Sequence, residues 1–344
     1  MKILFVKLKH IGDALLVTPT LTAVKAQYPD AEIWVVVRRG TESVLAGCPS
    51  IDRLLTSVAP EQTKRAISDW ASELKLIRTL RQQHFDYAFE LSDGDRGRFL
   101  TVLSGAKVRA LNDVSGRLKN IWRPFFQSIS RFDWRKSHSV EKDFYTVHDA
   151  LPLELPIPPL AFVRPATAGW EPADRLGEFV VLHPASRWLR NRWPLEKWIT
   201  VGRWLLERVP HLVISAGPHP DEIKLAQEIQ IALGARAVST EGKLSWAQLA
   251  GVLYRARLMV VGDTGALHLG AACQCPIVGL YRPGMVVHWS PWQTRYRAVY
   301  DPAYAPKGGR HPQDEASSQT VAPILEADVL TACAELLEDR NVLV

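Results

Sequence analysis

The sequence predicts an α/β protein built as two doubly wound domains facing each other across a cleft. Three observations predict it. Short β-branched apolar runs alternate with segments of helical period, in two series, the pattern of parallel sheets covered on both faces. A break holding Pro152, Pro156, Pro158, Pro159 and Pro165 separates the two series and reads as a linker. The length of 344 residues also exceeds the ~250–300 residues at which a single core stops growing. The expected layout is an N-terminal domain over residues 1–155, a linker over 156–175, a C-terminal domain over 176–320 and a terminal helix within 321–344.

The first series opens with a strand at Ile3–Leu8 and a loop through Lys9, His10, Ile11, Gly12 and Asp13. Ala14–Tyr28 carries Leu15, Leu21, Val24 and Tyr28 at roughly helical spacing, with Pro19 kinking or restarting the helix. Glu32–Val37 is a second strand, and Val44–Cys48 and Ile51–Leu55 continue the alternation. Trp70, Leu74, Ile77 and Leu80 mark an amphipathic helix. Strands follow at Phe85–Leu91, which runs into Ser92-Asp93-Gly94-Asp95, and at Val108–Leu111. A helical stripe of Val140, Phe144, Val147 and Leu151 closes the series.

The second series places strands at Phe179–His183, His211–Ser215, Ala237–Ser239, Leu258–Val261 and Pro276–Leu280. Helices fall at Pro194–Leu206, Asp221–Leu233, Ser245–Tyr254 and Ala266–Cys273. Val321–Leu337 is the terminal helix, with Ile324, Leu325, Leu330 and Leu336 on its apolar side. The most informative stretch is Leu258–His268, a strand, the turn Gly262-Asp263-Thr264-Gly265 and a helix start. Open α/β sheets bind ligands at such carboxyl ends, and a helix N-terminus with a threonine hydroxyl accepts a diphosphate. Asp263 repels phosphate and suits a sugar hydroxyl or an N–H donor better. An ordinary helix capped by Asp263 or Thr264 is the plainer alternative.

Composition bounds the setting. A hydrophobic share of 47% with 23% charged residues is that of a globular chain. Lys2, Lys7 and Lys9 interrupt the first apolar run, so it does not read as an export signal. No window reaches the ~18 apolar residues of a membrane span. Cys48, Cys273, Cys275 and Cys333 have neither disulfide-framework nor zinc spacing, which predicts buried thiols in a reducing cytoplasm. The net charge of +6 is concentrated: Arg96–Lys142 holds eleven Lys/Arg against three Asp/Glu. This excess suggests an anionic partner, with a solvated face as the plainer reading. No nucleic-acid recognition motif accompanies it.

The segments KLKHIGDALLVTPTLTAVKAQYPDAEIWVVV, HPASRWLRNRWPLEKW, SAGPHPDE, VVGDTGALHLGAACQCPIVGLY and HWSPW resemble glycosyltransferase family 9, the ADP-heptose:lipopolysaccharide heptosyltransferases. The start is most similar to the heptosyltransferase III branch, and the resemblance lapses over Ala59–Asp69 and Arg98–Ser137. It implies a GT-B fold of two Rossmann-like domains, with the acceptor in the first, the nucleotide sugar in the second, and a terminal helix packing back toward the N-terminal domain. It implies an inverting transfer without metal or cofactor, ADP-heptose being the donor substrate. The implied partners are lipopolysaccharide inner core and the inner-membrane surface, with no nucleic acid. The implied place is cytoplasmic, peripheral on the inner face of that membrane.

By the same resemblance Asp13, beside Gly12, matches the general base, a role an inverting transfer needs a carboxylate to fill; its alternative is a helix cap. Thr264 and Gly265 match the diphosphate turn, Asp263 a heptose contact and His268 a donor-site histidine. Glu222, after Gly217-Pro218, matches the acid that holds the adenosine ribose, and Leu244, after Lys243, the side chain packed on adenine. Ser186 and Arg187 fall in the donor loop. The family's lysine two residues before the Trp of Trp193-Pro194 is here Asn191. A leaving diphosphate needs a cation or equivalent donors, and Arg190, Arg192 or Arg187 are the candidates. A family transferase with another sugar, a non-catalytic nucleotide-binding scaffold and an epimerase on the same fold are the competing readings.

Overall fold

The computed structural model of the chain describes residues 1–58, 66–113, 116, 118–165, 169–186, 191–301 and 320–338. The chain divides into two compact units, Met1–Val163 and Arg164–Val344. In the first, β1 (Lys2–Lys7), β2 (Glu32–Arg38), β3 (Arg53–Ser57), β4 (Tyr87–Glu90), β5 (Val108–Asn112) and β6 (Ser128–Ser130) form one sheet in the order β3-β2-β1-β4-β5-β6. Every pairing is parallel. The order reverses between β1 and β4, so the carboxyl ends of these two strands flank the crevice where such sheets bind ligands. β1 has no exposed face, Ile3 through Val6 being fully buried.

Pro19 resolves the helical stretch after β1 into two. α1 (Ile11–Leu15) ends at Leu16, and α2 (Thr18–Gln27) restarts with the proline in its first turn, where a missing N–H costs nothing. α3 (Ile67–Arg81) forms as the spacing predicts, and the second half of its expected stripe is inward, with Leu80 in the core and Ile77 packed against it. The first half turns outward, with Trp70 57% and Leu74 54% exposed. Asp69 and Glu73 lie inward instead. Arg39 bonds Asp69, while Ser57, the Val58 N–H and Arg96 hold Glu73. Val44–Cys48 forms no strand: Glu42–Val44 is a 3₁₀ turn, yet Val44, Leu45 and Cys48 still bury. α4 (Asp95–Leu103) and β6 have no counterpart among the sequence-based expectations. α5 (Ser139–His148) buries Val140, Phe144 and Val147 as its period predicts.

The proline-rich stretch is only partly a linker. Leu153, Ile157, Leu160 and Phe162 are buried, the Ala161 N–H donates to the Thr18 hydroxyl and Tyr28 donates to the Pro152 carbonyl. These contacts anchor it to the first unit. Farther on, Glu171–Arg175 is a short helix, α6.

The second unit repeats the topology. β7 (Phe179–His183), β8 (His211–Ile214), β9 (Ala237–Ser239), β10 (Met259–Gly262), β11 (Ile277–Leu280) and β12 (Tyr296–Val299) pair in parallel in the order β12-β11-β10-β7-β8-β9. The switch point lies between β7 and β10. α7 (Leu195–Leu206), α8 (Pro220–Leu233), α9 (Trp246–Leu253), α10 (Gly265–Ala272) and α11 (Val286–Trp289) connect the strands. The terminal helix, α12 (Glu326–Glu338), starts later than expected. It is built into the second unit, where Val329, Ala332, Cys333 and Leu336 join Trp198, Val201 and Val278 in one core. All four cysteines are buried free thiols.

Candidate active site

In the first unit the loop after β1 carries the predicted base. Asp13 lies in the first turn of α1 and is half-buried. The N-cap is His10, so the capping role does not fall to Asp13. Its carboxylate accepts no hydrogen bond among the described residues. Gly12 is buried in the same turn, its carbonyl taken by the Leu16 N–H.

Around this turn lies a cluster of charges that sequence reasoning missed. Lys9 reaches Asp93 at 2.7 Å, Lys142 pairs with the other oxygen of Asp93, and Lys7 pairs with Asp143 in full burial. Burial opposes the charge on Lys9, but Asp93, Asp13 and Asp143 outweigh it and hold the ammonium above the usual lysine range. Burial alone pushes Asp93 upward, and Lys142 and Lys9 reverse this, leaving it well below the carboxylate range. Glu90, buried at the end of β4 and facing Asp93, is pushed up to about 7. The only signal in the sequence was Lys7 and Lys9 interrupting an apolar strand. Nothing local linked them to acids more than eighty residues away.

The basic run after Arg96 is largely matched by acids. Arg96 pairs with Glu73, Arg98 and Lys119 with Asp95, Lys107 with Asp86, and Arg123 with Asp113. The charge excess counted along the chain is therefore not an open basic surface, because several of its partners come from outside the run.

In the second unit the predicted donor residues gather at the carboxyl ends of the strands. Thr264 is the N-cap of α10, with extended φ −145° and ψ 170°, and its side chain makes no cap bond. Its Oγ1 is sealed from solvent and has no hydrogen-bond partner among the described residues. A buried hydroxyl in that state costs about 1–3 kcal/mol, so its position at a helix N-terminus fits a ligand oxygen that supplies the missing partner. Gly265 opens the helix, and His268, 3% exposed, lies one turn inside it. Asn191, 5% exposed, extends Nδ2 to the Asp263 carbonyl at 3.4 Å. Its Oδ1 is buried without a partner among the described residues. The amide is neutral, so it ties the turn in place but carries no charge for a leaving group.

Arg192 donates Nε to the Ser186 carbonyl at 3.0 Å, and its guanidinium lies 3.9 Å from Asp221 at the start of α8. It thus spans the buried Ser186 loop and the neighbourhood of Glu222. Arg187 and Arg190 lie outside the described residues. Glu222 accepts the Gly217 N–H at 3.0 Å and fixes the loop after β8. The next loop packs on it: a Cβ on Gly242, whose φ is +67°, would stand 2.5 Å from the Gly217 carbonyl. Only glycine allows both that backbone and that approach. Lys243 is exposed and paired with Glu241, and Leu244 is half-buried beside it. Among the described residues no group of three or more His, Cys, Asp or Glu is placed to hold a metal ion, and no helix is long and apolar enough to cross a membrane.

Sequence and fold comparisons give this arrangement its family. The Escherichia coli protein "Lipopolysaccharide heptosyltransferase 3" is 25% identical over 339 residues, 95% of this chain and 96% of its own. A glycosyltransferase family 9 structure from Veillonella parvula superposes with a TM-score of 0.83 at 19% identity, covering 98% of this chain and 97% of its own. The E. coli heptosyltransferase WaaC, solved with ADP, gives 0.78 at 20% identity and covers 98% and 100%. These likenesses show the GT-B fold. The description "Glycosyltransferase family 9 (heptosyltransferase)" matches residues 73–317. The chain is a glycosyltransferase and belongs to family 9, the heptosyltransferases.

Proposed function

We propose that the protein transfers L-glycero-D-manno-heptose from ADP-heptose to the inner core of lipopolysaccharide, with inversion at the anomeric carbon and no metal. The observation that carries this reading is the sealed Thr264 Oγ1 at the head of α10, which has no partner among the described residues and offers a hydroxyl to a diphosphate oxygen. In this reading the ribose lies against Glu222, which the Gly217 loop orients. Asp263 contacts the sugar, and Leu244 packs on adenine.

Asp13 takes the proton of the acceptor hydroxyl as its oxygen attacks the anomeric carbon. The bond to the diphosphate breaks, and ADP leaves with the negative charge. Family members usually place a lysine there; here the α10 N-terminus and Arg192, Arg190 or Arg187 take that part. Placement in the heptosyltransferase III branch is supported by the 25% identity to a relative of that name across nearly the full length. A lipid-anchored acceptor brings the enzyme to the inner face of the inner membrane.

Incubation with ADP-heptose and a truncated core acceptor, in buffer containing EDTA, tests the proposal. ADP release and a product heavier by one heptose unit are expected. Turnover only with another nucleotide sugar would move the donor assignment, and ADP binding without turnover would favour a scaffold.

A further inference from the structure

His183 and Ser215 form a buried pair that the donor assignment above leaves unused. His183 is the last residue of β7 and Ser215 follows the last residue of β8. The ring is 8% exposed and the hydroxyl 1%. His183 Nδ1 lies 2.8 Å from Ser215 Oγ. The Leu182 carbonyl lies 3.4 Å from the same hydroxyl, but it already accepts the Ser215 N–H at 2.8 Å. The Ser215 hydroxyl has two acceptors in reach, the Leu182 carbonyl and His183 Nδ1, and Nδ1 is the nearer. When the hydroxyl donates to Nδ1, Nε2 carries the ring hydrogen.

The register then places this donor. His183 pairs with Val261 on β10, one residue before Gly262 and two before the Asp263-Thr264 turn. It therefore stands at the carboxyl edge of the sheet, at the switch point where the strand order reverses. Nε2 has no hydrogen-bond partner among the described residues. Burial holds the imidazole down at about 4, so the ring stays neutral at physiological pH and Nε2 keeps its role as a single oriented donor.

We propose that His183, oriented by Ser215, is a further donor-binding residue whose Nε2–H bonds a diphosphate oxygen of the nucleotide sugar. The proposal rests on the reading that the second unit binds an ADP-linked sugar. A neutral donor at this place complements Asn191, which has replaced the family's lysine and supplies no charge. Ser215 is a positioning residue: without it the ring can take the other tautomer and present a lone pair to phosphate.

Calorimetry with ADP and with adenosine, on the full-length protein, tests this. His183→Leu is expected to weaken ADP roughly tenfold to a hundredfold, the factor a donor to a charged oxygen carries, with adenosine affinity unchanged. His183→Gln, whose amide N–H reaches the Nε2 position, should recover much of the loss. Ser215→Ala should weaken ADP several-fold while leaving adenosine alone, and it keeps the test decisive if the leucine variant does not fold. Equal losses for ADP and adenosine, or unchanged ADP affinity in Ser215→Ala, would overturn the role of His183. Wild-type protein that binds neither ligand would take the donor reading down with it.

Discussion

Asn191 Nδ2 lies 3.4 Å from the main-chain oxygen of Asp263, tying the loop before α7 to the turn before α10. Position 191 thus holds a neutral strut. Its Oδ1 is buried with no partner among the described residues, and turning the amide over would set that oxygen against the Asp263 carbonyl, two acceptors facing each other.

The first prediction concerns that strut. Asn191→Asp places a carboxylate against the Asp263 carbonyl and the diphosphate, so ADP affinity should fall at least about tenfold. Asn191→Lys restores a positive charge and should bind ADP as tightly as wild type or more so. Titration calorimetry reads both. An aspartate variant with wild-type affinity would place the diphosphate away from this residue.

Thr264→Val separates ligand binding from folding. The hydroxyl makes no cap bond and has no partner among the described residues, so its loss should leave the unfolding free energy unchanged or slightly higher. ADP binding should weaken by about 1–3 kcal/mol if the hydroxyl donates to phosphate. Denaturant melts and calorimetry on the same sample check the pair. Lower stability with unchanged affinity would make Thr264 a structural residue.

Asp13→Asn tests the base. The cap of α1 is His10, so the substitution removes basicity without removing a cap. Turnover should fall by about 10²–10⁴-fold, the usual share of general-base catalysis, while ADP affinity stays put. Near-normal transfer by the asparagine variant would remove Asp13 from the mechanism and leave the fold assignment standing.

Glu90 gives the protein a pH signature. Its pKa is raised to about 7 by burial first and by Asp93 second, with Arg98, the Ser92 N–H and Lys142 acting in the other direction. The folded pKa is above the unfolded one, so the folded state holds a proton that the unfolded state releases. Stability from this group is full below about pH 4.5 and is lost as pH rises through about 7. Glu90→Gln keeps an oxygen for the Ser92 N–H and removes the titration. Urea unfolding at pH 5 and pH 8 should show a smaller drop between the two in the variant; equal drops would contradict the assignment.

Much of the site was legible because its residues are close in sequence. Gly262 to His268 carry their strand, turn and helix start within one short stretch. The Lys9–Asp93–Lys142 cluster and the His183–Ser215 pair were not legible. Their members come from different βα units, and no local period relates one strand end to another.

The sequence by itself determined the class of fold and the family, since alternating apolar runs dictate parallel βα units and short motifs identify the glycine turns. It narrowed Pro19 to a kink or a restart, because the residue lacks an N–H, and the tertiary structure took the restart. Tertiary structure alone decided which face of the first half of α3 turns inward. Trp70 and Leu74 stay outside because Arg39, Arg96 and the end of β3 offer partners for Asp69 and Glu73, and a buried carboxylate must be paired. It likewise decided that α12 completes the second core and that most of the basic run is neutralised. Burial and charge pairing depend on which residues meet in space, and chain order does not encode that directly.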